Sequence, residues 1–564
     1  MADAINYHVV NTDNKWKILR THWRYSWWAI WVSFGTIMQG FDNVANSEII
    51  SMIAFTKQFG VENESDPGTY FIPSRWLGGW QGAMQAGSAI GAFAAGYLMD
   101  RIGRKKSILI ACSISCIGVG VQYAAHEWQV YLAGKFVNGE QAISIFRTPA
   151  TDPVLPGLAI GIWFTLAPTW IGENARPECR GLFLCLYNST IVFGQALVAF
   201  VAQGAVKIDG PWSYRIIILL QMMFPAIGFA GYLFFAESPY WLIQQDRMED
   251  ARKQLIKLYT TKHADFVDFE LGRLHDEARF AAELKAAANL GGPAIWQVWR
   301  GGNRIRTFTA VFISAGQQLM GASFVLGYLT YFLQLIHVKN AFSVSAGLFV
   351  VMLCSTTTAF PLIEIFGRRK ILIVPCFMLV FILLLIGIMG CISNTSAAGY
   401  VITTCIFLWG AVYQFSLGAT GFAVASEIAT LPLRAQTQGY IVATDAFFGW
   451  LIGFVVPYMI NPRPDGANMG GKVGFVFFGL GSLVAIALYF IVPDTRGLSF
   501  DELDWLYSEK VSPRKFQEVI KSRIESGDQT LEVRVGEKTI STHINQIEAT
   551  ETKSVAVAEQ KETV

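Results

Sequence analysis

The segment Asp100–Lys106 reads Asp-Arg-Ile-Gly-Arg-Lys-Lys, and a shorter version, Phe-Gly-Arg-Arg-Lys, occupies Phe366–Lys370. Each copy follows one long apolar stretch and precedes another, so each is a short basic turn between two apolar segments. The same turn at corresponding places in the two halves of the chain indicates an internal duplication. Apolar segments of this length cross membranes, and duplicated bundles of them are typical of transporters. The repeated turn therefore predicts a membrane transporter.

The composition agrees with a chain embedded in lipid. Of the 564 residues, 53% are hydrophobic and 15% are charged, and the mean hydropathy is +0.38, whereas soluble domains carry about 25% charged residues. One helical span takes about 20 apolar residues, so we predict an all-α membrane protein with about twelve transmembrane helices in two pseudo-symmetric bundles of six. The predicted spans are 27–48, 78–99, 107–125, 130–172 with an interruption, 182–205, 214–235, 308–333, 344–365, 371–392, 399–424, 437–459 and 473–492.

Changes in polarity divide the chain into five parts. The two bundles are expected at 27–236 and 307–493. Between them, residues 237–306 are polar, mixed in charge and periodic like a helix, which predicts a cytoplasmic helical linker. A cytoplasmic segment, 1–26, precedes the first bundle, and a cytoplasmic tail, 494–564, follows the second. The tail is rich in Ser, Thr, Glu and Lys, so we expect it to be mostly disordered after about residue 520.

Basic residues gather on one side of the predicted bundles. The two basic turns and the linker fall on the same side if the spans alternate, and the positive-inside rule makes that side cytoplasmic. Two possible N-glycosylation sites, Asn63 and Asn394, fall on the opposite side. The first apolar segment lacks a signal-peptide cleavage pattern, so we expect it to be retained as a span. We therefore predict a multi-pass protein of the cell membrane with both termini in the cytoplasm.

The sequence lacks the motifs of an ATP-driven pump or an enzyme. It contains no Walker loop, no metal-binding cluster of His and Glu, and no Gly-x-Ser-x-Gly elbow. The eight cysteines are scattered, and Cys112 and Cys116 have no His or acidic residue at ligand spacing. We expect no enzymatic activity, cofactor, metal or nucleic-acid partner, which leaves a carrier driven by gradients.

Several short motifs together make a family pattern. The motifs are, in chain order, Gly96–Lys106, Glu173, Arg180-Gly181, Glu237–Leu242, Gln317–Gly321, Glu364 before the second basic turn, Glu427 before Arg434, and Pro493–Gly497. With these motifs the chain resembles, from about Trp27 to Phe516, the sugar porter family of the major facilitator superfamily. Three further segments are most similar to the fungal α-glucoside (maltose-type) permease branch: Ile171–Asn174, Gly470–Phe475 and Lys510–Phe516.

The resemblance implies the major facilitator fold and a specific kind of transport. The expected activity is import of a sugar, either a hexose or an α-glucoside disaccharide such as maltose, across the plasma membrane. Proton symport by alternating access is the expected mechanism, with sugar, protons and the lipid bilayer as partners of a monomeric chain. Three alternatives stay open: a facilitative sugar uniporter, an exporter of a polyol or glycosylated metabolite, and a non-transporting sugar sensor.

Charged residues recur at the ends of the predicted spans. A Glu and an Arg at adjoining helix ends can pair across helices, and a pair that breaks when the halves rock biases one conformation. A single basic residue there can be an ordinary interfacial charge, but an acid near a span needs a partner or an aqueous path. We expect a cytoplasmic latch made of Arg101, Glu173, Arg180, Glu364, Arg368, Glu427 and Arg434.

Asp42 lies about two-thirds of the way along the first apolar span. An ionisable group inside a span is a functional candidate, and for an acid the function is proton coupling. In proton-coupled members of the family an acid at this place works with a basic residue in the fourth span, which implies Lys135 here, although the family more often has Arg. Lysine can lose its proton when buried, whereas arginine effectively cannot. The alternative for Asp42 is a structural cap toward the outer end of the helix.

A sugar site at mid-membrane needs amide or carboxylate groups for the hydroxyls and an aromatic face for the ring. The sequence supplies such residues mainly in the second half. The glutamine pair at 317 and 318 has interhelical hydrogen bonding as its alternative, and the aromatic residues have simple packing. The resemblance implies Asn188, Gln317, Gln318 and Asp445 as polar ligands, with Tyr328, Tyr331 and Phe422 as an aromatic wall. Asp445 stands where the family often has an amide, which leaves the substrate open.

The fourth span is interrupted by residues 140–157, which carry Glu140, Arg147, Asp152 and three prolines. Removing this stretch joins Gly139 to Leu158 and restores a span of ordinary length. Irregular backbone is not tolerated facing lipid. We therefore interpret 140–157 as an insertion, such as a retained intron, and expect transport to suffer if it is present in the protein.

Overall fold

The computed structural model describes most of the chain, and the side chains of Arg180, Glu364, Phe422, Glu427 and Arg434 are outside the described part. The predicted insertion 140–157 and both predicted glycosylation sites also lie outside the described residues, so these expectations stay predictions. The described residues are 23–62, 68, 70–139, 159–174, 177–259, 264–289, 298–300, 303–392, 396–429, 433–462, 465–495, 498, 500–526, 530–535 and 538–543.

The first half of the chain folds into helices joined by short turns. The helices are α1 (Trp23–Ile50), α2 (Ile53–Phe59), α3 (Ser74–Ile102), α4 (Arg104–Tyr123), α5 (Trp128–Gly139), α6 (Ala159–Asn174), α7 (Pro177–Ala205), α8 (Trp212–Gln221) and α9 (Met223–Tyr232). A two-stranded antiparallel pair, β1 (Val61–Glu62) and β2 (Tyr70–Phe71), follows α2.

The linker and the second half continue the helical pattern. The linker helices are α10 (Pro239–Gln244), α11 (Met248–Tyr259) and α12 (Ala264–Asn289). The second bundle contains α13 (Asn303–Leu319), α14 (Ala322–Leu335), α15 (Ala341–Phe366), α16 (Arg368–Met389), α17 (Ser396–Tyr413), a π-helical turn (Gln414–Gly418), α18 (Ala419–Ile428), α19 (Arg434–Ile460) and α20 (Val473–Ile491). In the tail, where we expected little order after about 520, α21 (Phe500–Ser508) and α22 (Phe516–Ser526) precede a hairpin of β3 (Thr530–Val535) and β4 (Lys538–His543), and 544–564 lie outside the described residues.

Eight described stretches are long and apolar enough to cross a membrane. Three further helices, α1, α3 and α7, have 28, 29 and 29 residues, which is about 42 Å at 1.5 Å per residue and also enough for a span. The helices α5 and α6 lie on either side of the predicted insertion and complete the fourth position. Helices therefore fill six positions before the linker and six after it, and the predicted all-α membrane fold is confirmed. The eight stretches are Arg104–Tyr123, Trp212–Tyr232, Asn303–Leu335, Ala341–Ala359, Arg368–Met389, Ala397–Gly421, Gln436–Ile460 and Gly470–Ile491.

The glycines of the two basic turns explain why the turns recur. Gly103 ends α3 with φ 90°, and Gly367 ends α15 with φ 81°. Positive φ values are easy for glycine and costly for other residues, so each glycine stops one helix and lets the next begin at the following residue. We call the side with these turns and the linker the linker side, and the side with α2 and Asp465 the far side.

The linker is held against the first bundle by aromatic packing. Tyr25 of α1 stacks between Trp170 of α6 and Tyr259 of α11, with ring centroids 5.9 and 5.6 Å away. The Tyr259 hydroxyl also donates to the backbone oxygen of Asn174 over 3.1 Å. These contacts bury the end of α11 and fix it on the linker side.

The helices α1 and α7 pack with their backbones in direct contact. A Cβ atom at Gly40 would collide with the backbone of Ile191, and one at Gly194 would collide with the backbone of Ile37. Small residues at such a crossing let two helices approach closely, which is a main source of packing energy between helices in a membrane.

Replacement of Gly194 by Ala is expected to destabilise the protein by about 1–3 kcal/mol, because the added methyl group forces α1 and α7 apart. Gly204 lies on the same helix with open space around it, so Gly204→Ala is the matched control. Thermal unfolding of both variants in detergent measures the difference. Equal melting temperatures for the two variants would contradict the close packing.

Candidate functional site

A polar cavity of about 70 Å³ lies between the two halves, where α1 and α3 face α13, α14 and α19. Four of its polar side chains come from the first half and three from the second. None of the described residues that line it is aromatic or basic. The lining residues are Gln39, Asn43, Gln81, Gln85, Gln318, Ser323, Leu326, Gly327, Val442, Asp445 and Ala446.

The second-half wall of the cavity is a directed chain of hydrogen bonds. The Ser323 hydroxyl donates to Gln318 Oε1 over 2.6 Å, and Gln318 Nε2 donates to Asp445 Oδ1 over 2.9 Å. The break between α13 and α14 makes this possible, since Gly321 has φ 96° and separates Gln318 from Ser323 by one tight turn. These hydrogen bonds fix the orientation of the Gln318 amide. They also join α13 and α14, at the seventh span position, to α19, at the eleventh.

The first-half wall consists of amides that our sequence analysis did not select. Gln39 and Asn43 are four residues apart on α1, and Gln81 and Gln85 are four apart on α3. Residues at this spacing share one helix face. The sequence pattern that could have identified this wall is the repetition of amide side chains on one face of an apolar span.

Glycines of the second half make room for the amides of α3. A Cβ atom at Gly453 would lie 2.8 Å from Cγ of Gln81, and one at Gly449 would lie 3.2 Å from Cδ of Gln85. Gln81 also accepts a hydrogen bond of 3.2 Å from Asn46 Nδ2 of α1. The glycines of α19 therefore allow the polar side chains of α3 to lie between the halves.

The other predicted sugar ligands occupy different surroundings. Gln317 is buried beside Gly421, where Tyr413 donates a hydrogen bond of 3.3 Å to its Oε1, and its Nε2 has no partner among the described residues. Asn188 is half-buried on α7, and its Nδ2 likewise has no partner in the described part. The Tyr328 hydroxyl donates to the backbone oxygen of Gly453 over 2.8 Å. Of the predicted ligands, the structure brings Gln318 and Asp445 together in the cavity wall.

The residues expected to couple protons lie near each other. Asp42 on α1 and Lys135 on α5 are both buried, and their charges act on each other. Lys135 Nζ lies 5.7 Å from the centre of the Tyr131 ring and has no hydrogen-bond partner among the described residues. A carboxyl group and an amine buried together can exchange or share charge when their surroundings change.

On the far side, the two halves are joined by hydrogen bonds around Asp465. The backbone amide and hydroxyl of Ser74, at the start of α3, both donate to Asp465 Oδ2. Asn461 Nδ2 donates to the Ser74 hydroxyl over 2.9 Å and accepts at Oδ1 from the Tyr331 hydroxyl over 2.8 Å. Tyr331, a predicted aromatic wall residue, therefore belongs to the hydrogen-bond network that joins the two halves on the far side.

The carboxyl group of Asp465 is tuned by this network. Partial burial would raise its pKa, but the hydrogen bonds from Ser74 and Asn461 outweigh burial, and the pKa is lowered. A group with a lowered pKa stabilises the folded protein above its ordinary pKa and loses that contribution as the pH falls through the lowered value.

The described linker-side network joins the first half to the start of the linker. Arg104 pairs with Glu173, whose Oε2 accepts a hydrogen bond of 2.7 Å from the Ser238 hydroxyl. Glu237 accepts from the backbone amide of Arg104 over 2.9 Å and from that of Lys105 over 3.1 Å, at the start of α4. Burial raises the pKa of Glu237 in spite of these donors. Among the described side chains, the cation that pairs with Glu173 is thus Arg104, which we had not placed in the latch.

The predicted pairing of the other six latch residues across helix ends is not tested by the described residues. Arg101 is exposed at the end of α3, and Arg368 is half-buried at the start of α16. The side chains of the other four lie outside the described part of the chain. Within the described residues, no group of three or more His, Cys, Asp or Glu side chains is arranged to hold a metal ion.

Replacement of Asp465 by Asn is expected to lower thermal stability at pH 7, because a neutral amide holds Ser74 less strongly than a carboxylate does. The wild-type protein should lose this advantage as the pH falls below about 4. Melting temperatures of both proteins across the acid range measure the effect. Asp209→Asn, in an exposed loop, is the control, and a constant difference between wild type and Asp465→Asn at every pH would contradict the role of the charge.

Comparison with solved structures supports the same architecture. The proton:xylose symporter XylE bound to 6-bromo-6-deoxy-D-glucose aligns with a TM-score of 0.66 and 18% identity over 85% of this chain and 98% of that chain. A partially occluded inward open form of the xylose transporter XylE from E. coli gives a TM-score of 0.65 and 19% identity, over 84% of this chain and 98% of that one. Likeness at this identity establishes the fold.

Comparison of sequences identifies the family. The major facilitator-type transporter ecdD of Aspergillus rugulosus is 26% identical over 86% of this chain and 87% of its own length. The low-affinity glucose transporter of Kluyveromyces lactis is 26% identical over 86% and 83%, and the high glucose sensor RGT2 of Saccharomyces cerevisiae is 27% identical over 85% and 60%. The family model for sugar (and other) transporters matches residues 28–507. The chain therefore belongs to the sugar transporter family of the major facilitator superfamily.

Proposed function

We propose that this protein imports a hexose across the plasma membrane together with protons, by alternating access to the central cavity. The observation that carries the proposal is the cavity itself, with amides from both halves and the Gln318–Asp445 pair. Transport sites of this kind lie between the repeats and near mid-membrane. The basic turns on the linker side support a cytoplasmic location for that side and for both termini.

The chemistry of the cavity suits an uncharged polyhydroxy solute. Amides donate and accept hydrogen bonds, as sugar hydroxyls do. The described lining contains no basic group that would bind an anion. A volume of about 70 Å³ holds a few water molecules, so the halves must separate further to admit a sugar. A hexose demands less widening than a disaccharide.

The identity of the sugar is the finer part of the proposal. Our sequence comparison favoured the α-glucoside branch, but relatives reported above are named as a glucose transporter and a glucose sensor. We therefore propose a hexose and retain maltose as a comparison substrate. The relative RGT2 is named as a glucose sensor, so a non-transporting sugar sensor is the competing function.

Asp42 and Lys135 are proposed as the proton-coupling pair. A buried acid beside a buried amine gains or loses a proton when one side of the carrier opens to water. One proton moving through about 100 mV supplies about 2.3 kcal/mol, which supports roughly a 50-fold gradient of an uncharged solute. XylE, which has a similar structure, is named as a proton:xylose symporter, and this supports the same mechanism. Facilitative uniport is the competing outcome.

The latch proposal now includes Arg104. The pair Arg104–Glu173 and its contact with Ser238 hold the linker-side ends of α4, α6 and the linker together. We propose that these residues, with Arg101, Arg180, Glu364, Arg368, Glu427 and Arg434, bias the conformation in which the linker side is closed.

In a proton-coupled carrier, Asp42→Asn is expected to abolish accumulation of labelled glucose while exchange of internal for external sugar continues, because exchange needs no net proton movement. The measurement compares net uptake and exchange in cells, with and without an uncoupler. Asp209→Asn is the control and should behave as wild type. Uncoupler-sensitive accumulation by the Asp42→Asn variant would contradict the coupling role, and equal uptake by wild type with and without uncoupler would establish uniport.

Gln318→Ala is expected to raise the KM for sugar about tenfold, the cost of one or two lost hydrogen bonds of about 1 kcal/mol each. The measurement is initial uptake across a panel of labelled glucose, xylose and maltose. Gln245→Ala, at an exposed position in the linker, is the control. A KM unchanged by Gln318→Ala for every transported sugar would exclude Gln318 from the binding site.

A further inference from the structure

A second carboxyl group of α1 lies outside the proposed coupling pair and joins the two halves on the far side. The side chain of Glu48 is fully buried. Its Oε1 accepts a hydrogen bond of 2.8 Å from the Thr330 hydroxyl of α14 and one of 2.7 Å from the Ser345 hydroxyl of α15. Both donors belong to the second half, so a single oxygen atom of the first half binds two helices of the second half.

The second oxygen of Glu48 has no such contact. Oε2 is buried and has no hydrogen-bond partner among the described residues. Next to Glu48, the Ser47 hydroxyl accepts from the backbone amide of Thr330 over 3.2 Å. The groups in contact with the carboxyl are therefore hydroxyls, and within the described part of the chain no cation acts on it.

The neighbouring helices carry other titratable groups, and each has its own surroundings. On α1, Asp42 is six residues away, about 9 Å along the helix, and acts on Lys135. On α14, the hydroxyls of Tyr328 and Tyr331 are bound to Gly453 and Asn461.

The other helices that pack against α1 also carry charged residues. On α2, Lys57 is exposed, and on α6, Glu173 pairs with Arg104. The charged residues of α11 lie on the linker side with the rest of the linker.

On α7 and α15 the side chains of Glu178, Arg180 and Glu364 lie outside the described part of the chain. On α8, Arg215 lies against the rings of Tyr123 and Tyr214.

A buried carboxylate without a cation is unfavourable, and a carboxylic acid in the same place is not. When the far side opens, Thr330 and Ser345 leave and water reaches Glu48, so the ionised form becomes stable there. Closure of the far side then takes up one proton from the water on that side, converting the carboxylate to the acid, and reopening returns it. The proton moves neither across the membrane nor with the sugar.

We propose that Glu48 is a proton-binding site that makes closure of the far side depend on the pH outside the cell. The inference rests on the proposed transport function, but it does not depend on proton coupling, since a uniporter would show the same gate. Acid favours closure, and raising the external pH opposes it.

The first experiment measures exchange of labelled sugar as a function of external pH in wild type and in Glu48→Gln. Exchange by the wild type should fall in the alkaline range with a slope of up to about tenfold per pH unit, the limit for one proton. The amide of Glu48→Gln accepts both hydroxyls and stays neutral, so its exchange should lose this dependence and keep the acid-range rate. An identical pH profile for the two proteins would overturn the proposal.

A second variant tests the same site while keeping the carboxyl group. Ser345→Ala removes a donor that favours the ionised form, so the loss of exchange should move to more alkaline external pH. A shift toward acid, or no shift, would count against Glu48 as the titrating group.

A spectroscopic readout separates this proposal from the proposed function. Infrared spectra of the purified full chain should contain the carbonyl band of a protonated carboxyl group that Glu48→Gln removes and Asp42→Asn leaves in place. If the wild type exchanges none of the sugars, the proposed function fails, yet the band still decides the protonation of Glu48. Spectra of wild type and Glu48→Gln that coincide in this region would overturn the site.

Discussion

A carboxyl group inside the lipid bilayer must be paired, protonated or in contact with water, because an isolated charge there costs several kcal/mol. Three buried or half-buried carboxyl groups of the described spans meet this requirement in different ways. Asp42 lies near the amine of Lys135, Asp445 accepts from an amide, and Glu48 accepts from two hydroxyls. The Asp42–Lys135 contact brings α1 to α5, and the Asp445–Gln318 contact brings α19 to α13. The Glu48 contacts join the two halves. The positions of these acids therefore decide which helix faces turn inward.

The hydrogen bonds between the halves are concentrated on the far side in the described part of the chain. Ser74 with Asp465 joins α3 to the loop that follows α19, and Glu48 joins α1 to α14 and α15. The described Arg104–Glu173 network on the linker side joins the first half to the start of the linker. Opening the far side must break several hydrogen bonds of about 1 kcal/mol each, so protonation or substrate binding worth a few kcal/mol is enough to shift the equilibrium.

The architecture could be predicted from sequence because it depends on apolar length, glycine turns and charge placement, all of which are local. Gly103 and Gly367 mark corresponding turns for this reason. The cavity was only partly predictable. The amides of α3, four residues apart, carry a periodic signal that we did not use, whereas the contact of the Tyr328 hydroxyl with a backbone oxygen of α19 depends on tertiary packing. Glu48 was missed because a lone acid near a helix end resembles an interfacial charge until its partners are known.

The direction of the hydrogen bonds in the cavity wall bears on what the wall can recognise. Ser323 donates to Gln318, and Gln318 donates to Asp445, so the amide cannot reverse without breaking both bonds. This leaves one N–H of Gln318 as a donor and the second oxygen of Asp445 as an acceptor, on two residues that both line the cavity. A hydroxyl group satisfies both at once, since it accepts from the amide and donates to the carboxylate. An ether oxygen satisfies only the donor and leaves the second oxygen of Asp445 without a donor, which is costly when buried. In the sugar site that we propose, Asp445 therefore favours a free hydroxyl over an ether oxygen at this point of the substrate.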